Sequence, residues 1–294
     1  MIPATVRTFA PERWGQLDIF RHFHSGTHTF KSDTTKAISG VTNHFQKALT
    51  LHQLAIKLLP NLSLDEEEIQ SKGFTAAANS REFTAVMEEV FTELYSSIDC
   101  TRKVIVSIYR RTRGLPDSTR KLFQKVRGNL LGSDFPSELK QTIAASDWYE
   151  ELLLIRDELT HSDIGNCWMD RETKMVTYMH TGISREGKPL IIKDVMGKVR
   201  FLIESINKFL GAIFSFLNAQ LKVTTIDQLC GIFYGRGYLR KLSLESSINL
   251  NSGVCQSHSW FDNDVQFRCP LASSCGAYAR AKLVAAELPS TPPA

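Results

Sequence analysis

Apolar residues recur along this chain at helical spacing, in blocks separated by Gly, Pro and charge. From Asp33 to Leu59, in KAISGVTNHFQKALTLHQLAIKLL, the residues Ile38, Val41, Phe45, Ala48, Leu49, His52, Ala55, Ile56 and Leu59 repeat at three and four positions, and Pro60 ends the run. That spacing predicts a first long helix. In SLDEEEIQS the acids follow Ser63, where negative charge suits a helix N-terminus, so a short helix or turn is expected. Asn79 and Glu82 have the spacing of a capping box, and FTAVMEEVFTELYSSIDCTRKVIVSIYRR stays amphipathic up to Gly114 and Pro116, which predicts a long second helix. A basic linker with Gly and Pro follows. Pro136 and Ser137 then open a third helical stretch, re-nucleated at Asp147 with Glu150, in which Trp148, Leu152, Ile155 and Leu159 face the core and Gly165 marks the stop.

Two β-prone runs come next. KMVTYMHT and KPLIIKDV flank the polar turn SREG and predict a small hairpin. Asp194 can cap a last long helix, VMGKVRFLIESINKFLGAIFSFLNAQ, with Val199, Leu202, Ile203, Ile206, Leu210, Ile213 and Leu217 on its core face. The expected fold is mainly α: a bundle of four to five helices with a small β-hairpin inserted before the last long one, followed by an irregular C-terminal extension. The expected division is an N-terminal arm over 1–32, a helical domain over 33–222 and a Cys-containing extension over 223–294 that ends in a disordered PSTPPA tail. There is no internal repeat.

Composition narrows the class without naming it. With 43% hydrophobic and 22% charged residues over 294 positions, the chain can bury a sizeable core. A net charge of +4 is too small to announce a nucleic-acid binder, so any such role rests on local clustering. The first twenty residues carry charge throughout, and FLIESINKFLGAIFSFL is broken by Glu204 and Lys208; neither a secretory leader nor a membrane span is expected. Six cysteines are too few for a disulfide scaffold of this length, and Cys100, Cys167 and Cys230 sit in or beside apolar stretches, which fits a cytoplasmic setting.

The most informative segment for chemistry is WYEELLLIRDELTHSDIGN. It ends an amphipathic helix with Arg156, Asp157, Thr160 and His161 beside a core stripe. Asp157 and His161 are four apart and share a face, and Arg156 is long enough to curl toward the helix end. A guanidinium that keeps its proton thus stands near an imidazole that titrates close to neutrality. Internal cleavage of RNA needs a base for the 2′-hydroxyl and positive charge at the phosphoryl oxygens, and it needs no metal. A plain structural reading also exists, in which Arg156 and Asp157 are surface charges and His161 offsets its own helix C-terminus.

Arg156, four residues and then His161 at a helix end resemble the R-x4-6-H signature of HEPN (higher eukaryotes and prokaryotes nucleotide-binding) domains. ELYSSIDCTRK in the second helix is similar to the acidic segment that faces the motif there, with Asp99 the first candidate and Glu93 the second. The resemblance covers roughly residues 33 to 222. It implies a metal-independent endoribonuclease in which His161 is general base and acid, Arg156 stabilises the transition state and Asp99 or Asp157 orients one of them. It also implies a homodimer with a composite cleft, an antitoxin or nucleotidyltransferase as partner, and a role as toxin or in antiviral defence. Such domains also occur as inactive modules that bind RNA, a nucleotide or a protein.

Two further clusters are candidates. In the basic stretch from Arg102 to Arg127, residues Arg110, Arg111, Arg113 and Lys121 can hold an RNA backbone, with Tyr109 and Phe123 available to stack a base; a solvated face is the alternative. Cys255, His258, Cys269 and Cys275 offer four ligands for a structural zinc, although no pair is Cys-x-x-Cys, and free thiols are the other reading. The same region suits a docking surface in a larger assembly. His22, His24 and His28 belong to the arm and are expected to be exposed.

Overall fold

The computed structural model describes residues 7–8, 14–161, 163–170, 172–185, 188–233, 235–245, 247–263 and 268–287. The PSTPPA tail lies outside them, as do most of the first thirteen residues and part of the SREG turn. In chain order the elements are β1 (Arg7–Thr8), α1 (Gln16–Phe23), α2 (Ser32–Leu58), α3 (Leu62–Lys72), α4 (Ala78–Ile108), α5 (Thr119–Arg127), α6 (Ser137–Ala144) and α7 (Tyr149–His161). They continue with β2 (Asn166–Met169), β3 (Val176–Arg185), β4 (Lys188–Ile192), α8 (Val195–Asn218), β5 (Thr225–Phe233), β6 (Arg236–Ser243), β7 (Val254–Cys255), α9 (His258–Asn263) and α10 (Gly276–Glu287). The chain is mainly helical with two small antiparallel sheets. Among the described residues no helix is long and apolar enough to cross a membrane.

The chain divides into two compact units, one of residues 30–216 and one formed by Met1–Thr29 together with Leu217–Ala294. The two end segments, expected as a separate arm and extension, therefore fall in the same unit. In the larger unit α2 and α4 run antiparallel, as the pairs Thr34–Ser107, His44–Glu93 and Lys47–Glu89 record. The buried seam of α2 is Ala37, Ile38, Val41, Ala48 and Ala55, narrower than the predicted stripe; Ile56 is exposed. Small residues along that seam let the two axes approach closely. On α4, Phe83, Met87, Val90, Phe91 and Leu94 are buried, each large side chain contributing roughly 1.5–3 kcal/mol.

The start of α4 is held from outside. Its N-cap residue Ala77 is left-handed, and Asp65 of α3 accepts hydrogen bonds from the Asn79 and Ser80 backbone N–H groups at 3.2 and 2.7 Å and from both side chains at 2.7 Å. The expected Asn79–Glu82 box is thus replaced by a carboxylate from the neighbouring helix, which does the same electrostatic work. The predicted third stretch is two helices, α6 and α7, and the linker before it contains α5, whose Leu122, Phe123 and Val126 are buried. Asp194 caps α8 as expected, accepting from the Gly197 N–H at 2.8 Å.

The expected β3–β4 hairpin gains a third strand, and the sheet order is β2-β3-β4. Buried Glu88 of α4 ties this sheet to the exit of α7, accepting from the Gly165 N–H at 2.6 Å and the Tyr178 hydroxyl at 3.0 Å. Burial pushes its carboxyl above the usual range against those two donors. Gly165 lies flat on Tyr178, where any Cβ would collide with the ring. In the smaller unit the sheet order is β1-β5-β6-β7, with α1, α9 and α10 as its helices.

Candidate active site

Helix α7 approaches α4 with Leu152 and Ile155 buried, and this contact carries Arg156 onto the α4 surface. Tyr95, Asp99 and Lys103 are spaced four apart on α4 and form one ridge along the helix. The Arg156 guanidinium lies over the Tyr95 ring, with Cζ 4.8 Å from its centroid, and Tyr95 stacks in turn on Tyr149. Arg156 Nη1 also donates to Asp157 Oδ1 at 3.0 Å, and Asp157 is ion-paired through its other oxygen with Arg120 of α5. Arg156, Tyr95, Asp99, Lys103, Thr119 and His44 line one open cleft of about 290 Å³, together with Ser96, Cys100 and Ser118.

Asp99 is the best-held acid of the cleft. It accepts from the Thr119 hydroxyl at 2.6 Å and from Arg102 Nη2 at 3.0 Å, and Lys103 Nζ is 3.2 Å away. Partial burial pushes its carboxyl up, but the Thr119 hydrogen bond and the two cations outweigh it and hold the group below the ordinary range. It stays ionised and fixed. Glu93, nearly two turns earlier, is buried and belongs to a second group: His44 Nδ1 lies 2.6 Å from Oε2, and Lys47 donates to Oε1 at 2.7 Å. Burial raises the Glu93 carboxyl, while Lys47 and His44 lower it further than burial lifts it.

The predicted residues therefore separate. Arg156 and Asp99 line the same cleft, and Asp157 sits behind Arg156 as its ionic partner. The backbone of His161 closes α7, and its side chain, expected as the base, lies outside the described residues. The residue that sequence reasoning missed is His44, an imidazole on the cleft wall. Its signal was its place in the α2 seam, three after Val41 and four before Ala48, where a polar residue needs a partner.

The basic candidates also divide. Arg110, Arg111, Arg113 and Lys121 are exposed at the end of α4 and on α5. Phe123 is 1% exposed and stacked on Tyr149 at 3.5 Å, and Tyr109 packs edge-on against Phe135. Phe123 thus belongs to the core, which corrects the expectation that it stacks a base. The N-terminal histidines are partly buried and make contacts: His22 Nδ1 lies 2.8 Å from the Asp18 carbonyl and its ring packs at a tilt against Trp14, 4.3 Å between centroids. Burial depresses both His24 and His28.

In the smaller unit Cys255, Cys269 and Cys275 line a shared cavity with Cys230, while His258 opens α9 and is not among its lining residues. Burial raises the Cys230 and Cys269 thiols to about 11. Among the described residues no three His, Cys, Asp or Glu side chains are grouped to hold a single metal ion. No family model, no curated protein and no solved structure matches this chain.

Proposed function

We propose that the chain is a metal-independent endoribonuclease, with a HEPN-like helical bundle, that binds RNA in the α4–α7 cleft and cleaves it through attack by the 2′-hydroxyl. The observation that carries this reading is the seating of Arg156 on Tyr95 in the cleft that also holds Asp99, Lys103 and His44. A phosphate in that cleft meets a planar guanidinium and an ammonium, the charges that stabilise a phosphorane-like transition state. His161, at the close of the same helix, takes the 2′-hydroxyl proton and returns one to the leaving 5′-oxygen. Asp99, kept ionised by its own partners, fixes Lys103 beside the phosphate and is a positioning residue.

The resemblance adds a cytoplasmic homodimer in which two α7 ends share one composite cleft, with an antitoxin or nucleotidyltransferase partner and a toxin or defence role. The exposed Arg110, Arg111, Arg113 and Lys121 extend the positive surface for the RNA backbone. Incubation of purified protein with mixed RNAs in EDTA tests the reaction type. The expected products end in 2′,3′-cyclic phosphate and 5′-hydroxyl, because the attacking oxygen belongs to the substrate; products ending in 3′-hydroxyl, or cleavage that EDTA abolishes, contradict it.

A second reading is a binding module without turnover. It is favoured by the ionic chain Arg156–Asp157–Arg120, which engages the guanidinium inside the protein. Its signature is salt-sensitive RNA binding that His161→Ala leaves unchanged and no new RNA ends.

A further inference from the structure

Helix α2 is joined to α4 by more than its apolar seam. Lys47 Nζ donates to Glu89 and to Glu93, each at 2.7 Å, and fastens the two helices with one ammonium. Glu93 is nonetheless buried, and it gives its second oxygen to His44, whose Nδ1 lies 2.6 Å from Oε2. As a fastening this is inefficient, because a buried carboxylate is costly and apolar side chains of that size hold helices together at least as well. The second bond acts on the imidazole instead.

It fixes the tautomer of the ring and its direction. Burial pushes the Glu93 carboxyl up, and Lys47 and His44 together bring it below the ordinary range, so it is ionised at neutral pH. An ionised carboxylate only accepts hydrogen bonds, so Nδ1 carries the hydrogen and the neutral ring keeps its lone pair on Nε2. Among the described residues Nε2 has no hydrogen-bond partner. The His44 side chain is 39% exposed and lines the cleft with Arg156, Lys103 and Asp99; with Nδ1 turned to the buried acid, the Nε2 edge is the open one. An imidazole aimed in this way by a carboxylate behind it can take a proton from a hydroxyl, because the carboxylate stabilises the imidazolium that forms.

Cleavage by the 2′-hydroxyl needs two proton transfers, one from the attacking oxygen and one to the leaving oxygen. The displacement is in line, with the 2′-oxygen and the 5′-oxygen on opposite sides of the phosphorus. One imidazole serving both must shuttle between them, whereas groups on two elements serve each directly. His44 is on α2 and His161 closes α7, and both helices pack on α4.

We infer that His44 is a second catalytic residue of this cleft, the general base that takes the 2′-hydroxyl proton, with Glu93 as the positioning residue behind it. The assignment rests on the ribonuclease reading of the cleft and divides the two transfers given there to His161. The 2′-oxygen loses its proton to His44 Nε2 and forms the bond to phosphorus. The bond from phosphorus to the 5′-oxygen breaks, and that oxygen leaves with the electron pair and takes a proton from protonated His161. Exchange with solvent water returns both rings to their starting states, and no further reactant is consumed.

The test is single-turnover cleavage by the full chain of an all-ribose strand and of the same strand with sulfur in place of the leaving 5′-oxygen. A thiolate leaves without protonation, so the sulfur strand removes the need for a general acid and keeps the need for a base. His44→Asn retains a donor toward Glu93 and deletes Nε2. On the all-ribose strand it should slow cleavage at least about a hundredfold, with RNA affinity and helix content unchanged. The sulfur strand should restore His161→Ala and leave His44→Asn slow. Glu93→Gln should lower kcat with KM unchanged, since the carboxylate acts through the imidazole. If His44→Asn does not fold, His44→Gln on the same two strands decides the matter. A His44 variant as active as wild type, or one restored by the sulfur leaving group, overturns the assignment and leaves the ribonuclease reading standing. Wild type that cuts no RNA overturns both.

Discussion

The guanidinium carbon of Arg156 lies 4.8 Å from the centre of the Tyr95 ring, so a charge on α7 is positioned by an aromatic face on α4. A cation over a ring gains about 1 kcal/mol when partly desolvated. Tyr95→Leu keeps the bulk and removes the face. It should lower single-turnover RNA cleavage about fivefold, corresponding to about 1 kcal/mol, with helix content unchanged by circular dichroism. Arg156→Lys should cost more than Tyr95→Leu, because an ammonium neither stacks flat nor forks to two phosphoryl oxygens.

Asp99 has its folded-state carboxyl held below the ordinary range, after burial is outweighed by Thr119, Arg102 and Lys103. A depressed acid stabilises the fold above its unfolded-state value and loses that contribution as pH falls through the folded-state value. Asp99→Asn should therefore melt lower than wild type at neutral pH. The gap should close as the solution is acidified through and below the carboxylate range, and parallel melting curves at all pH values would contradict this.

Asp65 holds the first turn of α4 through four hydrogen bonds. Loss of a helix cap costs about 1 kcal/mol and up to roughly 2. Asp65→Ala should reduce unfolding stability by at least that much in denaturant titration, with an unchanged slope. Glu82→Ala, altering the residue that sequence spacing nominated, should have little effect.

Arg110, Arg111 and Arg113 are exposed at the end of α4. Each phosphate contact adds roughly 0.9 to the slope of log affinity against log salt for duplex nucleic acid, and somewhat less for single strands. Replacing all three by Gln should weaken RNA binding at low salt and flatten that slope by roughly two to three units. An unchanged slope would remove these residues from the interface.

Helices with a strong apolar period were legible in the sequence, because the pattern that buries α2, α4 and α8 is local. Asp194 was legible as a cap for the same reason. The capping of α4 was not, since Asp65 reaches Asn79 and Ser80 from another helix. Helix α5 was hidden by charge: Leu122, Phe123 and Val126 lie among four Lys and Arg residues, so its buried stripe reads as a basic linker. In the cleft, Arg156 and Asp99 were found through a motif. His44 was not, because its partner Glu93 is forty-nine residues away and only the antiparallel packing of α2 on α4 joins them.

The central claim is tested most directly by the rate at which RNA is cut in EDTA by wild type, Arg156→Ala and His161→Ala, with a matched substrate carrying 2′-deoxyribose at the scissile position. Wild type should cleave the all-ribose strand and leave the substituted one intact. Each variant should lose at least about a hundredfold in rate, the scale of a general acid–base group, while keeping its fold. Cleavage of the deoxy strand, or variants as active as wild type, would contradict it.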